Sequence, residues 1–451
     1  MIYSLFSKLE TDVQNACQID NDLFEQYDVK RGLRNKDGTG VLVGLTNIGD
    51  VVGYRKENGA VAPIPGKLLY RGIDIEALTA GFQQENRHGF DETVYLLLSG
   101  RLPDSGELQK FSAYMASLRE LPDHFTKNMI LSMKGKNILN ILARSVLGLY
   151  TLDKRPDDIS LGNMLEQSIN LIAKFPTIVA YSYQALRHLY KGKTLSIRHP
   201  QKHLTTAENF LYLIKGHNSK FTKLEIDLLD LLLVLHAEHG GGNNSTFTMR
   251  VTSSAETDIY SSITSAIASL KGPLHGGANI KMLEMMENIK ANVKDWKDES
   301  EVERYLLKIL NREANDRSGK IYGVGHAVYT ISDPRATILK KKARELAIEK
   351  GRTDEFRLYE LVEQLTPKVL SAFKGERFTK VVCINVDFYS GFVYGCLEIP
   401  KELYTPLFAV ARSAGWCTHR IEELTFPAKR IIRPAFKNVV SPQAYIPLTE
   451  R

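Results

Sequence analysis

The chain has 451 residues, 43% of them hydrophobic, which is enough for two or three domains around a sizeable core. No apolar run approaches the ~18 residues of a membrane span. Net charge is +7, from 59 Lys and Arg against 52 Asp and Glu; spread over this length it suits anionic small molecules and not the concentrated basic stripe of a nucleic-acid surface.

The N-terminus, Met1-Ile2-Tyr3-Ser4-Leu5-Phe6, meets Lys8 and Glu10 too soon for a signal peptide, so a cytoplasmic protein is expected. Val41 to Val52 and Leu68 to Arg71 read as short strands among the glycines at 38, 40, 44, 49 and 53. Phe90 to Leu98 reads as a helix that stops near Gly100, and Leu102-Pro103-Asp104-Ser105 starts another. Leu161 to Tyr190 has helical spacing with a break expected at Pro176. Leu224 to Leu235 is apolar throughout, as in a helix buried on most sides.

In Ser253 to Leu270, the residues Ile259, Ile263, Ala266, Ile267 and Leu270 share one face, and Ser and Ala fill the others. Such a helix packs closely on several sides, either as a core helix or across a subunit interface. Lys294 to Glu303 is polar, which suggests a domain edge or a surface excursion. Glu301 to Ala314 and Ala336 to Lys350 are helical again; Lys340-Lys341-Lys342 with Arg344 forms a solvated face or a phosphate contact. The expected fold is mostly α with a few short N-terminal strands. A large helical domain (1–279 and 396–451) carries a smaller helical one (280–395). Cys17, Cys383, Cys396 and Cys417 have no CxxC spacing and read as free thiols.

Three Gly-bearing turns each carry one ionisable side chain. They are Gly272-Pro273-Leu274-His275-Gly276-Gly277-Ala278-Asn279, Gly323-Val324-Gly325-His326-Ala327-Val328-Tyr329 and Asn385-Val386-Asp387-Phe388-Tyr389-Ser390-Gly391. Two imidazoles and a carboxylate can polarise two carbonyls and remove one proton, the equipment for carbon–carbon bond formation through an enol. Near a helix N-terminus His275 is favoured as the neutral ring. His236 and His239, three apart, suit one helix face and a metal, although no HExxH is present. The following Gly240-Gly241-Gly242-Asn243-Asn244-Ser245 either ends a helix or holds an anion on backbone N–H groups. Arg335, after Asp333-Pro334, offers a fork for a carboxylate or pairs with a nearby acid. Arg412 and Arg433 sit in apolar surroundings and need an anionic partner. Asp387 reads either as a desolvated base or as a helix cap.

Together these three motifs, with the weaker Tyr70-Arg71-Gly72, resemble citrate synthase, most densely from His236 to Pro434. The resemblance implies condensation of acetyl-CoA with oxaloacetate and water to citrate and CoA, with no metal and no further cofactor. Asp387 would take the methyl proton, His275 would stabilise the enol, and His326 would polarise the ketone of oxaloacetate. His239, Asn243, Arg335, Arg412 and Arg433 would bind its carboxylates, with Phe408 lining the pocket. In this family the counterpart of Arg433 comes from the partner subunit, so a homodimer is implied, as is domain closure over oxaloacetate. Two positions depart from the pattern: Thr330 stands where many relatives carry a basic residue near the CoA phosphates, and Gly240 where many carry Glu. A 2-methylcitrate synthase using propionyl-CoA needs the same groups. A metalloprotein built on His236, His239 and His275, or a binding protein that retains the fold, are the readings from other classes.

Overall fold

The computed structural model describes residues 2–57, 60–216, 219–375 and 381–451. Among them are sixteen helices of ten or more residues and one three-stranded antiparallel sheet of order β1-β2-β3: β1 Gly49–Glu57, β2 Ala60–Tyr70 and β3 Ile73–Asp74. The mostly α expectation therefore holds. No helix of the described residues is long and apolar enough to cross a membrane. The four cysteines are free.

Helix starts follow local chemistry. Asp104 with Glu107, Thr205 with Glu208 and Thr222 with Glu225 form capping boxes ahead of the helices Ser105–Ser117, Thr206–Lys215 and Lys223–His236. Gly100, at φ +84°, ends Phe90–Ser99. The core is wrapped around the Tyr404–Thr425 helix, whose Trp416, Arg412 and Arg420 are buried, and it packs against the Leu161–Lys191 and Lys223–His236 helices.

Several boundaries differ from expectation. The first strand begins at Gly49 and not Val41; Leu42 is 84% exposed and Leu45 79%, so nothing covers the preceding stretch. Pro176 does not break its helix, which runs unbroken from Leu161 to Lys191. Packing on both sides of Phe175–Gln184 holds it continuous despite the lost N–H. Ser253 ends one helix, Asn244–Ser253, and the next starts only at Ile259 behind the Asp258 cap. The helix expected from Glu301 starts earlier, at Glu299 behind the Asp298 cap, and ends at Leu310. Pro334–Glu349 likewise begins at its proline, capped by Asp333.

The β1–β2 hairpin positions the site. Its register slips between Val52 and Tyr54, and Gly53 lies there against the 326–334 turn. A Cβ on Gly53 would come 2.5 Å from the Val328 carbonyl oxygen, and one on Gly66 would clash with that of Ser332. The Thr330 hydroxyl donates to the Gly53 carbonyl (2.6 Å), and the Gly66 amide donates to Ser332 Oγ (3.1 Å). At both ends of the chain, apolar side chains stay outside this body. Phe6 is 68% exposed, Phe436 95% and Tyr445 81%.

Candidate active site

The Lys223–His236 helix delivers the first groups. It ends at His236, so His236 and His239 do not share a helix face, contrary to expectation. His236 Nδ1 faces the Leu232 carbonyl at 2.8 Å, which fixes the proton on Nδ1. Gly240, at φ +81°, then turns the chain towards the helix Asn244–Ser253. His239 Nε2 is buried and has no hydrogen-bond partner within the chain. Burial, then Arg335 and His326, hold its pKa far below the ordinary value, so the ring is neutral.

His326 lies edge-on to His239, with centroids 5.0 Å apart, and stacks on Tyr329 at 4.5 Å. Its Nδ1 accepts from the Val328 and Tyr329 amides, each at 3.0 Å. An acceptor Nδ1 leaves Nε2 as the protonated nitrogen of the neutral ring, so His326 can donate a hydrogen bond to a carbonyl. The glycines before it adopt φ +74° (Gly323) and +88° (Gly325).

The third motif is stitched to the second. The Gly325 amide donates to the Cys383 carbonyl (2.7 Å), the Asn385 amide to that of Gly323 (2.9 Å), and Asn385 Nδ2 to that of Gly325 (3.1 Å). Asn385 also caps the Val386–Cys396 helix through the Asp387 amide, so the cap is Asn385 and not Asp387. Asp387 is free of capping work. Burial raises its pKa, with Arg335 and Asn279 opposing. A carboxylate so desolvated is a stronger base than one in water.

His275 sits in a tight turn before the Ala278–Asn292 helix. A Cβ on Gly276 would collide with the Leu270 carbonyl, so only glycine lets this turn lie so close. His275 Nε2 is 3.0 Å from Ser245 Oγ, which in turn accepts from Trp416 Nε1–H (3.1 Å). Burial lowers the His275 pKa to about 4, so the ring is neutral at pH 7. His236, His275, Asn279, Asp387 and Phe408 line one narrow cavity.

Arg412 is completely buried, with its guanidinium 4.6 Å from the Phe408 ring centre. Nε donates to the His236 carbonyl at 2.7 Å, while Nη1 and Nη2 are buried without partners. A buried guanidinium in that state calls for an anion. Arg335 is buried, and Asp333 takes its Nε (3.0 Å) and Nη2 (2.7 Å). Asn243 is turned to Ser245, whose hydroxyl lies 3.0 Å from Asn243 Oδ1. Arg433 is exposed on the segment that follows Thr425, and nothing within the chain brings it to the site.

The three motifs thus converge, with His239, Phe408 and Arg412. Ser245 and Asn279 belong to the same constellation and were not singled out by sequence, although both lie inside the quoted segments. No group of three or more His, Cys, Asp or Glu among the described residues is placed to hold a metal ion, so the grouping of His236, His239 and His275 does not form a metal centre. Of the basic cluster, Lys340, Lys342 and Arg344 are in ion pairs with Glu363, Glu345 and Glu360.

Comparison with known proteins agrees with this geometry. A family model described as "Citrate synthase, C-terminal domain" matches residues 37–435. A citrate synthase of Deinococcus radiodurans is 36% identical over 370 residues, covering 82% of this chain and 88% of its own. One from Synechocystis sp. is 37% identical over 394 residues, covering 86% and 88%. The crystal structure of citrate synthase from Thermotoga maritima superposes with a TM-score of 0.72 at 31% identity, over 94% of this chain and 99% of that one. That of Thermoplasma acidophilum citrate synthase, in ternary complex with carboxymethyl coenzyme A and oxaloacetate, gives 0.75 at 25% identity over the same shares. A match that spans every turn of the site, in relatives aligned over most of their length, means that the chain belongs to the citrate synthase family of acyltransferases.

Proposed function

We propose that this chain condenses acetyl-CoA with oxaloacetate and hydrolyses the citryl-CoA formed. The observation that carries this is the Arg412 guanidinium, buried with two unpartnered nitrogens next to two neutral imidazoles, His239 and His275. An oxaloacetate carboxylate satisfies Arg412, with His239, Asn243 and the remaining nitrogen of Arg335 at its other oxygens and Phe408 as the apolar wall. Asp387, its basicity raised by burial, takes a proton from the acetyl methyl. His275 donates a hydrogen bond to the enol oxygen that results. His326, protonated on Nε2, donates to the ketone as the new bond forms. The reaction needs no metal or other cofactor, because imidazole and guanidinium donors polarise both carbonyls.

Arg433 completes the carboxylate site of a partner subunit in a homodimer, which accounts for its exposure in the single chain. The proposed division, 1–279 with 396–451 against 280–395, puts His326 and Asp387 on the smaller part, which closes over oxaloacetate and excludes water. Thr330 is committed to the Gly53 carbonyl, so a CoA phosphate needs a cation elsewhere; Lys341, exposed in the basic cluster, is the candidate.

Release of CoA thiol by the purified protein with oxaloacetate tests the reading, with acetyl-CoA and propionyl-CoA compared. Preference for acetyl-CoA supports it. Equal or better turnover of propionyl-CoA makes the chain a 2-methylcitrate synthase, a change within reach because one methylene is worth only ~1–3 kcal/mol. No release with either overturns it.

A further inference from the structure

Next to the substrate-facing His239 is a carboxylate that the reaction does not use. Glu238 is fully buried, and two elements make room for it. A Cβ on Gly49 of β1 would come 2.7 Å from Oε1, and one on Gly415 of the Tyr404–Thr425 helix would clash with Oε2. Oε1 is 2.8 Å from His419 Nε2 and accepts the amide of Gly240, the residue just past His239. The Tyr70 hydroxyl grips the Glu238 backbone, donating to its carbonyl (3.1 Å) and accepting its amide (3.2 Å). The Glu238 side chain thus holds His239 from behind.

The other side of the network fixes its protons. Arg250 Nε donates to His419 Nδ1 at 3.1 Å, so the neutral His419 ring carries its proton on Nε2, towards Glu238. Arg250 is held in turn by Glu422 and by Glu423 (2.6 Å). Burial raises the pKa of Glu238, but the hydrogen bond from His419, the charge of Arg412 and the Gly240 amide outweigh it and lower the pKa, which keeps it a carboxylate. Its charge also faces Arg412, whose own pKa it raises.

We propose that the buried Glu238–His419 pair is a positioning device for oxaloacetate. It locks the turn that carries His239 and shares the charge of Arg412, so that substrate meets a preformed site. The inference rests on the oxaloacetate reading above, and wild-type protein in the same titration separates the two. If wild type does not bind oxaloacetate, that reading fails; if only the variants behave as wild type, this one does.

The experiment is calorimetric titration of oxaloacetate into the full-length protein, with thermal melts alongside. Glu238→Gln keeps the shape and removes the charge, and its Kd should rise by roughly ten- to a hundredfold, the cost of a misplaced contact. His419→Gln retains a side-chain N–H donor and should bind within about threefold of wild type, whereas His419→Leu should lose affinity as Glu238→Gln does. Should Glu238→Gln not fold, the two His419 variants decide. Wild-type affinity in His419→Leu or in a folded Glu238→Gln overturns the proposal, as does an affinity loss in His419→Gln equal to that in His419→Leu.

Discussion

Arg412→Met should make the protein more stable and unable to hold its substrate. Burial draws the Arg412 guanidinium down from its ordinary value to about 10. At about 1.4 kcal/mol per pK unit, keeping that charge inside costs about 3 kcal/mol. Against this stands the Nε bond to the His236 carbonyl, worth about 1 kcal/mol. Methionine removes both and keeps a long side chain over Phe408, for a net gain of roughly 2 kcal/mol. Each kcal/mol raises Tm by roughly 2–4 °C in domains of 150–250 residues, so a rise of a few degrees is expected. Truncating one partner of a buried charge pair costs roughly 2–5 kcal/mol of binding, about thirty- to several thousandfold in Kd. Melting curves with and without oxaloacetate read both effects, since a ligand of the native state raises Tm. A variant that melts well below wild type, or that oxaloacetate still stabilises as it does wild type, would refute the reasoning.

Asp387→Asn should abolish CoA release in the thiol assay while oxaloacetate still shifts the melting curve; near-wild-type turnover would remove Asp387 as the base. Stability should also fall on mild acidification. His275 is held down to about 4 by burial, so the unfolded chain takes its proton first; the contribution is complete above pH 6.5 and is lost as pH falls towards 4. That amounts to about 1–2 kcal/mol by pH 5, and His275→Gln should show a correspondingly smaller drop in Tm between pH 7 and pH 5. Finally, Arg433→Ala and His275→Ala, each inactive alone, should together regain about a quarter of wild-type activity on random reassociation, because half of the dimers then hold one intact shared site. No recovery would place Arg433 outside the site.

His275 and His326 were legible in the sequence because each sits on a turn that only glycine permits, and such turns are local; Asp387 lies instead in the first turn of the Val386–Cys396 helix, where no glycine is required. Gly325 before His326 and Gly276 after His275 mark their positions without any knowledge of the fold. Helix starts at Ser105 and Lys223 were legible for the same reason, since their caps lie within three residues. What escaped depends on distant partners. The role of Glu238 is set by Gly49, Gly415 and His419, far away along the chain, and nothing in His236-Ala237-Glu238-His239 reveals them. Pro176 reads as a break because its cost is local, while the packing that overrides it comes from other helices. Asp333, two residues before Arg335, takes two of its nitrogens, a local pairing that the sequence offers beside the carboxylate fork.

The stitching of Gly323–Gly325 to Cys383–Asn385 has a kinetic consequence. The proposed proton donor His326 and the proposed base Asp387 hang on two segments joined through the Val324–Ile384 bridge and its flanking amides. Those amides open only together, so Gly325 and Asn385 should exchange hydrogen with deuterated solvent at one shared, slow rate. Motions of the chain that admit or release ligands would then carry His326 and Asp387 as a single piece. The spacing between them would survive each cycle and need not be rebuilt.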